Sequence, residues 1–418
     1  MIRSFLPPGR HRRPIAHKTV SHPCTRGWEN AGCFLWPRRP RPAAPELRPR
    51  PLDLDDVSTP ASGASAQPAL PDYPSRLRGC LLGGSLGDQL GYAVEYSGWE
   101  EIEARFGGAL RDFAQLQDPA RFSDDTQLTL YTLDGLIEAL EWANAGVAAD
   151  EAACLWLAYL RWYATQDGRF PEAAPEPQPR WIDGQAVLHQ RRSPEEACLS
   201  ALATGEMGTV ARPLNPEARG SGALVRSAPF GLVPFVSAET VYKLTVDGAA
   251  ITHGHPSARH SAPAFSGLIR AIVHGGAGLP EAVRASAERA GREAAAPGVA
   301  TALLKGLELA AGGTLPPAEL AAALGAEPVA EEVLATGVYA VLATAGAATP
   351  EEHFRLALAA AVNHDGASAS TGSVAGQLLG ALYGEACLPQ AWLQAAEAPG
   401  LVLQMAGLFL AQTQAQAD

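Results

Sequence analysis

Three adjacent side chains, Ser123, Asp124 and Asp125, carry the oxygens with which this chain could do chemistry. Two carboxylates beside a hydroxyl can hold a hard divalent cation, or one carboxylate can move a proton while the other stays charged. They stand where an apolar periodicity begins: Leu128, Leu130, Leu133, Leu136, Ile137 and Leu140 recur at mostly helical spacing. Ser123 therefore reads as a helix N-cap with both aspartates in the first turn. A plainer role is open at this point, since acids in a first turn also answer the helix dipole with no ligand involved. A hard cation needs oxygens from more than one segment, so the rest of the chain decides between the two readings.

The elements that must position these residues are helices. Alanine is frequent, alternating β-branched runs are scarce, and the class predicted is all-α. The pattern predicts a helix from 124 to about 147 and a second over 149–165. A proline-bearing surface loop follows over 166–192, then a short helix over 194–203. Helices then run at 228–236, 239–252, 257–275, 280–293, 297–311, 317–324, 329–346, 351–363, 371–384 and 399–413. Upstream, Gly79, Gly83, Gly84, Gly87 and Gly91 interrupt an apolar stretch, which predicts close helix packing or backbone brought near a ligand. Gly372, Gly376 and Gly380 repeat every fourth residue and predict tight helix packing. Gly220, Ser221 and Gly222 form a small polar loop whose backbone N–H groups could cradle phosphate.

Composition narrows the function. The 418 residues are 47% hydrophobic with net charge -12, enough for a large core. That balance argues against nucleic-acid binding. Residues 1–75 carry eleven Lys and Arg against six Asp and Glu, are rich in Pro-Arg pairs, and lack sustained apolar periodicity. They read as a disordered extension over 1–74, with an ordered domain over 75–418. Arg12-Arg13 resembles an export signal, but the apolar segment such a signal needs is missing. Six scattered cysteines without a Cys-x-x-Cys pair fit reduced thiols in a cytoplasmic protein. No apolar run reaches membrane-spanning length.

Five segments in order resemble the ADP-ribosylglycohydrolase family. They are Gly79–Gly91 with Glu95, Phe122–Gln127, Gly220–Pro229, Ile251–Pro256 (Thr252-His253-Gly254-His255-Pro256 at its heart), and Ala361–Gly376. The resemblance implies an all-α fold with a magnesium or manganese pair at the base of an ADP-ribose cleft. It implies hydrolysis of the glycosidic bond between ADP-ribose and an acceptor. Ser123, Asp124 and Asp125 would hold metal, Asp125 would also activate water, and Glu95 would meet the scissile ribose. Asp88, Gly220, Ser221, Gly222 and His253 would lie on the substrate side, although His253 reads equally well as a core histidine; His255 reads as structural. The other metal half in that family is an Asp-x-Asp-Ser/Thr element, which here reads Ala367-Ser368-Ala369-Ser370. Only the Ser370 hydroxyl survives there, which implies one ion or none. Asp365 lies two residues upstream, and its movement into the site is the less favoured outcome. Two alternatives therefore accompany the hydrolase: a homologue that binds ADP-ribose without turnover, and a purely structural descendant.

Overall fold

The computed structural model describes residues 70–414. The expected extension falls almost wholly outside the described residues. Within them, helix begins two residues earlier than the apolar pattern suggests. Asp72 accepts a hydrogen bond from the Ser75 amide (2.8 Å) and caps α1, Tyr73–Tyr92.

Short α2 (Trp99–Phe106) leads to α3 (Asp124–Asn144) and α4 (Glu151–Asp167). The chain continues through α5 (Glu196–Ala203), α6 (Gly222–Val225), α7 (Ala228–Leu232), α8 (Ala238–Ala250) and α9 (Pro256–Val273). Next come α10 (Leu279–Ala290), α11 (Pro297–Ala310), α12 (Pro317–Leu324) and α13 (Ala330–Ala343). The last are α14 (Pro350–Val362), α15 (Ser368–Tyr383), α16 (Gln390–Ala395) and α17 (Pro399–Gln414). Among the described residues there is no strand, only one isolated bridge between Gly220 and Val329. The fold is all-α as predicted, and no helix described is long and apolar enough to cross a membrane.

Two helices with little amphipathic character, α1 and α15, sit at the centre of the core. A helix buried on every side needs no polar face, which explains why their sequences show no clean stripe. They run antiparallel along a seam of glycines. A Cβ added at Gly83 would strike the Gly376 carbonyl, and one at Gly87 the Gly372 carbonyl. The collision is reciprocal, because Gly376 and Gly380 meet the carbonyls of Gly83 and Gly79. Both glycine series thus serve the close packing expected for them. Leucines on the other faces of α1, among them Leu77, Leu86 and Leu90, are fully buried.

α3 lies across this pair, with Leu128, Leu130, Leu133 and Ile137 in the core. Three of its buried polar side chains pair with neighbouring elements. Gln127 accepts from the Trp162 indole (3.0 Å), and Thr132 meets the Tyr159 hydroxyl (2.9 Å). Asp134 takes Arg161 and, at 2.8 Å, Arg180.

Two stretches depart from the sequence reading. α2 was not foreseen, because only Ile102 of its eight residues is buried and Gly98 caps it without a side chain. The loop over 166–192 is anchored rather than merely superficial: two 3-10 turns (Trp181–Gly184 and Ala186–His189) bury Ile182 and Leu188 completely. α15 also begins at Ser368, three residues before the expected start, which brings Ala369 and Ser370 into its first turn.

Candidate functional site

The N-terminus of α3 is built as the sequence suggests. The Ser123 hydroxyl accepts from the Asp125 amide (3.1 Å), and both aspartates lie in the first turn. The segment before it is pinned from two sides. Arg192 forms a two-pronged pair with Glu397 (3.0 Å each), and the Asp124 amide donates to the Arg192 carbonyl (3.1 Å). From below, Asp88 on α1 accepts from the Ser123 amide, the Thr126 amide (3.1 Å) and the Thr126 hydroxyl (2.5 Å).

Asp88, expected on the substrate side, is placed beneath the start of α3. It is fully buried, does not line the cleft, and has both oxygens engaged in holding the start of α3. These bonds anchor the segment that carries Ser123 at the start of α3.

A cleft of about 540 Å³ opens over this helix start. Ser123, Asp124 and Asp125 form one part of its floor, and Ala367, Ala369 and Ser370 from the first turn of α15 form another. Tyr92, Glu95 and Tyr96, at and beyond the end of α1, make one wall. The opposite side is the Arg219–Gly222 loop braced by Val329 through the isolated bridge. Tyr96 stands at the mouth with 80% of its surface exposed and a left-handed backbone (φ 64°), a conformation that costs a tyrosine energy and that the surroundings must hold.

Hydrogen bonds link these walls. The Ser370 hydroxyl donates to Asp125 Oδ2 (2.8 Å) and meets the Ser221 hydroxyl (3.0 Å). Asp124 Oδ2 accepts from the Glu195 amide (2.9 Å). Glu95 Oε2 accepts from the Ala369 amide (2.6 Å), so an acid from α1 sits against the first turn of α15.

The electrostatics are those of acids short of a counter-charge. Burial pushes the Asp88 carboxyl up to about 6, although bonds from Thr126 and Ser123 oppose the rise. Burial pushes Glu95 up to about 7, with the Asp88 charge adding to it and the Ala369 amide opposing it. Asp124 and Asp125 lie well above the usual carboxylate range, first through burial; neighbouring acids add to this. Among the described residues, the only basic side chain lining the cleft is Arg219, 47% exposed and 4.0 Å from Glu327.

This donor set suits a hard cation, which wants several carboxylate and hydroxyl oxygens. Ser123, Asp124, Asp125 and Ser370 converge on one side of the floor, with Glu95 across from them. On the other side the methyls of Ala367 and Ala369 face the cleft and offer nothing to a second ion. Asp365 does not replace them. It lies on the exposed side, where its Oδ1 accepts from the Trp99 amide (2.6 Å) and caps α2.

Sequence reasoning missed Glu195 and Cys198. Glu195 lines the cleft, and Cys198 lies fully buried behind it. His253, expected beside substrate, is also fully buried and does not line the cleft. It sits one layer back, with Nε2 3.0 Å from Glu195 Oε2 and Nδ1 2.8 Å from the Thr252 hydroxyl. Burial raises the Glu195 carboxyl, but the nearby His253 ring, at ion-pair distance, and the bond from Cys198 outweigh it and hold the group at about 2. Behind them Arg226 donates to Cys198 Sγ (3.3 Å) and Thr252 Oγ1 (2.8 Å), its guanidinium 4.4 Å from the centre of the Tyr159 ring. Glu195 and Cys198 share a helix face at three-residue spacing, but nothing in the sequence signals that His253 meets them. Gly220 and Gly222 carry an indirect sign, since a Cβ on either would strike the Glu195 carboxylate.

Comparison with known proteins bears on this arrangement. The sequence model of a family described as ADP-ribosylglycohydrolase matches residues 69–418. No curated protein sequence matches the chain. Among solved structures, one titled "ADP-ribosylglycohydrolase-related protein complex" is similar at 21% identity with a TM-score of 0.55, covering 82% of this chain and 99% of its own.

Proposed function

Because the chain belongs to the ADP-ribosylglycohydrolase family, we propose that it hydrolyses the glycosidic bond between ADP-ribose and an acceptor, with one hard divalent cation in place of a pair. The observation that carries this reading is the cluster of Glu95, Asp124 and Asp125 in one cleft, all holding a proton more tightly than free carboxylates do. Ser123, Asp124, Asp125 and Ser370 would hold magnesium or manganese. When bound, such an ion supplies charge to orient the ribose diol and a water.

The remaining work falls to the chain itself. Asp125 is positioned by Ser370 to accept a proton from water. Glu95, with its carboxyl near 7, can hold a proton at neutral pH and release it toward a leaving group. The Gly220–Gly222 loop offers backbone to the diphosphate, and Tyr96 offers an aromatic face to the base. His253 acts through Glu195, from behind the cleft wall.

A second reading, binding of ADP-ribose without turnover, is favoured by Ala367 and Ala369 alone. The two are separated by one pair of measurements. With manganese, wild type should release ADP-ribose from modified arginine or serine peptides, and Asp125→Asn should not. Calorimetric binding of ADP-ribose with no release from either peptide would reject hydrolysis and leave the binding protein.

A further inference from the structure

We propose that Glu195, Cys198 and His253 form a second metal site, for a borderline ion of the zinc type, distinct from the oxygen-lined floor of the cleft. One ligand atom from each residue lies within 4.8 Å of the others. The nearer pairs are 3.0 Å (Glu195 Oε2 to His253 Nε2) and 3.4 Å (Glu195 Oε2 to Cys198 Sγ). Ligands around a tetrahedral zinc, at about 2.0–2.3 Å from the metal, stand roughly 3–4 Å from one another. Two of the three separations therefore already suit one ion, and the third, within 4.8 Å, needs at most a small closing of Cys198 on His253.

The second observation is the state of His253. Its ring is completely buried, yet Nε2 makes no hydrogen bond. Glu195 Oε2 lies at ion-pair distance but off the direction in which an Nε2 proton would point. A buried ring nitrogen left in this way costs free energy unless something else occupies its axis. Meanwhile Nδ1 is fixed by the Thr252 hydroxyl, itself held by Arg226. Orientation of the ring through its other nitrogen is the usual support for a metal-binding histidine.

The donor chemistry also separates this site from the cleft floor. A thiolate, an imidazole and one carboxylate select zinc-like ions, whereas serine and aspartate oxygens select magnesium or manganese. Burial and the Glu195 charge hold the Cys198 thiol well above its ordinary range, with Arg226 beside Sγ opposing them, so binding must displace the thiol proton to solvent and the ion's own charge stabilises the thiolate. Cys198 and His253 lie behind Glu195, so an ion enters from the cleft past its carboxylate. The fourth ligand is then a water or an oxygen of whatever occupies the cleft. The two sites are joined at one point, the Glu195 amide that donates to Asp124.

Cobalt titration of the chelator-treated full chain tests this, because a thiolate ligand gives cobalt a charge-transfer absorption that oxygen ligands do not. One equivalent should produce the band in wild type and in Asp125→Asn, and excess manganese should leave it. Cys198→Ser should lose it. Persistence in Cys198→Ser would assign the band to other cysteines and overturn the proposal, as would its absence from wild type. If Cys198→Ser fails to fold, His253→Gln serves instead: zinc should raise the thermal midpoint of wild type and not of this variant, and an equal rise in both would refute the site.

Discussion

Glu95→Gln should stabilise the metal-free protein at pH 8 and do little at pH 5. Burial moves the Glu95 carboxyl from 4.5 to about 7, so the folded chain resists a charge that the unfolded chain holds freely. Below 4.5 both states are protonated and the group is silent. As pH rises from 4.5 to 7 the folded state retains the proton longer, and stability falls; above 7 the whole penalty is present. It amounts to about 3 kcal/mol at pH 8 and under about 1 kcal/mol at pH 5. The amide substitution preserves the shape and still accepts from the Ala369 amide, now bonded at 2.6 Å. With an unfolding entropy of about 2 cal/mol/K per residue, the gain at pH 8 corresponds to a rise of roughly 4 °C in thermal midpoint. The assay is thermal unfolding of both proteins in chelator at the two pH values. Equal midpoint changes at pH 5 and pH 8, or a loss at pH 8, would mean that Glu95 ionises as an ordinary surface acid and that its role as proton donor has no basis.

Restoring the missing carboxylates with Ala367→Asp plus Ala369→Asp should add a second manganese equivalent by calorimetry and lower the midpoint of the metal-free protein, because more like charges then share the floor. Gly83→Ala should cost about 1–3 kcal/mol or more in chemical denaturation, since the methyl meets the Gly376 carbonyl; a neutral effect would mean the two helices can part freely. A chain beginning at Leu70 should keep the thermal midpoint of the full protein, because Asp72 already caps α1 from within; a large drop would assign a packing role to residues 1–69.

The sequence carried the features that depend on neighbours along the chain. Ser123 as a cap and the aspartates in its first turn could be read directly, because capping is a matter of two or three consecutive residues. The glycine series could be read as packing, since a four-residue repeat lies on one helix face. Features that depend on distant residues stayed hidden. Glu195 is one acid among many in the sequence; only the fold sets it against His253, 58 positions later. Asp88 shows another limit: its place in a motif suggested the substrate side, and nothing along the chain signals that the Ser123 amide and the Thr126 amide and hydroxyl all bond to its carboxylate at the start of α3. Ile182 and Leu188 were lost among prolines because each is a single apolar anchor with no period around it.

The glycine seam also bears on when the protein can become competent. It joins residues near the start of the described chain to residues almost 300 positions later, and the cleft floor is made where those two ends meet. Contacts of such sequence separation form late and slowly, because a long loop must close before they reward it. During synthesis α1 therefore waits for nearly the whole chain, its close-packing face covered by no partner until α15 emerges. Backbone meeting backbone tolerates no intermediate register: a slip of one residue on either helix would drive a side chain into a carbonyl. The acids of the cleft are thus brought together only in a finished chain, in one alignment, and a fragment ending before Ser368 would contain most of the helices and the α3 part of the floor, without the first turn of α15 that completes it.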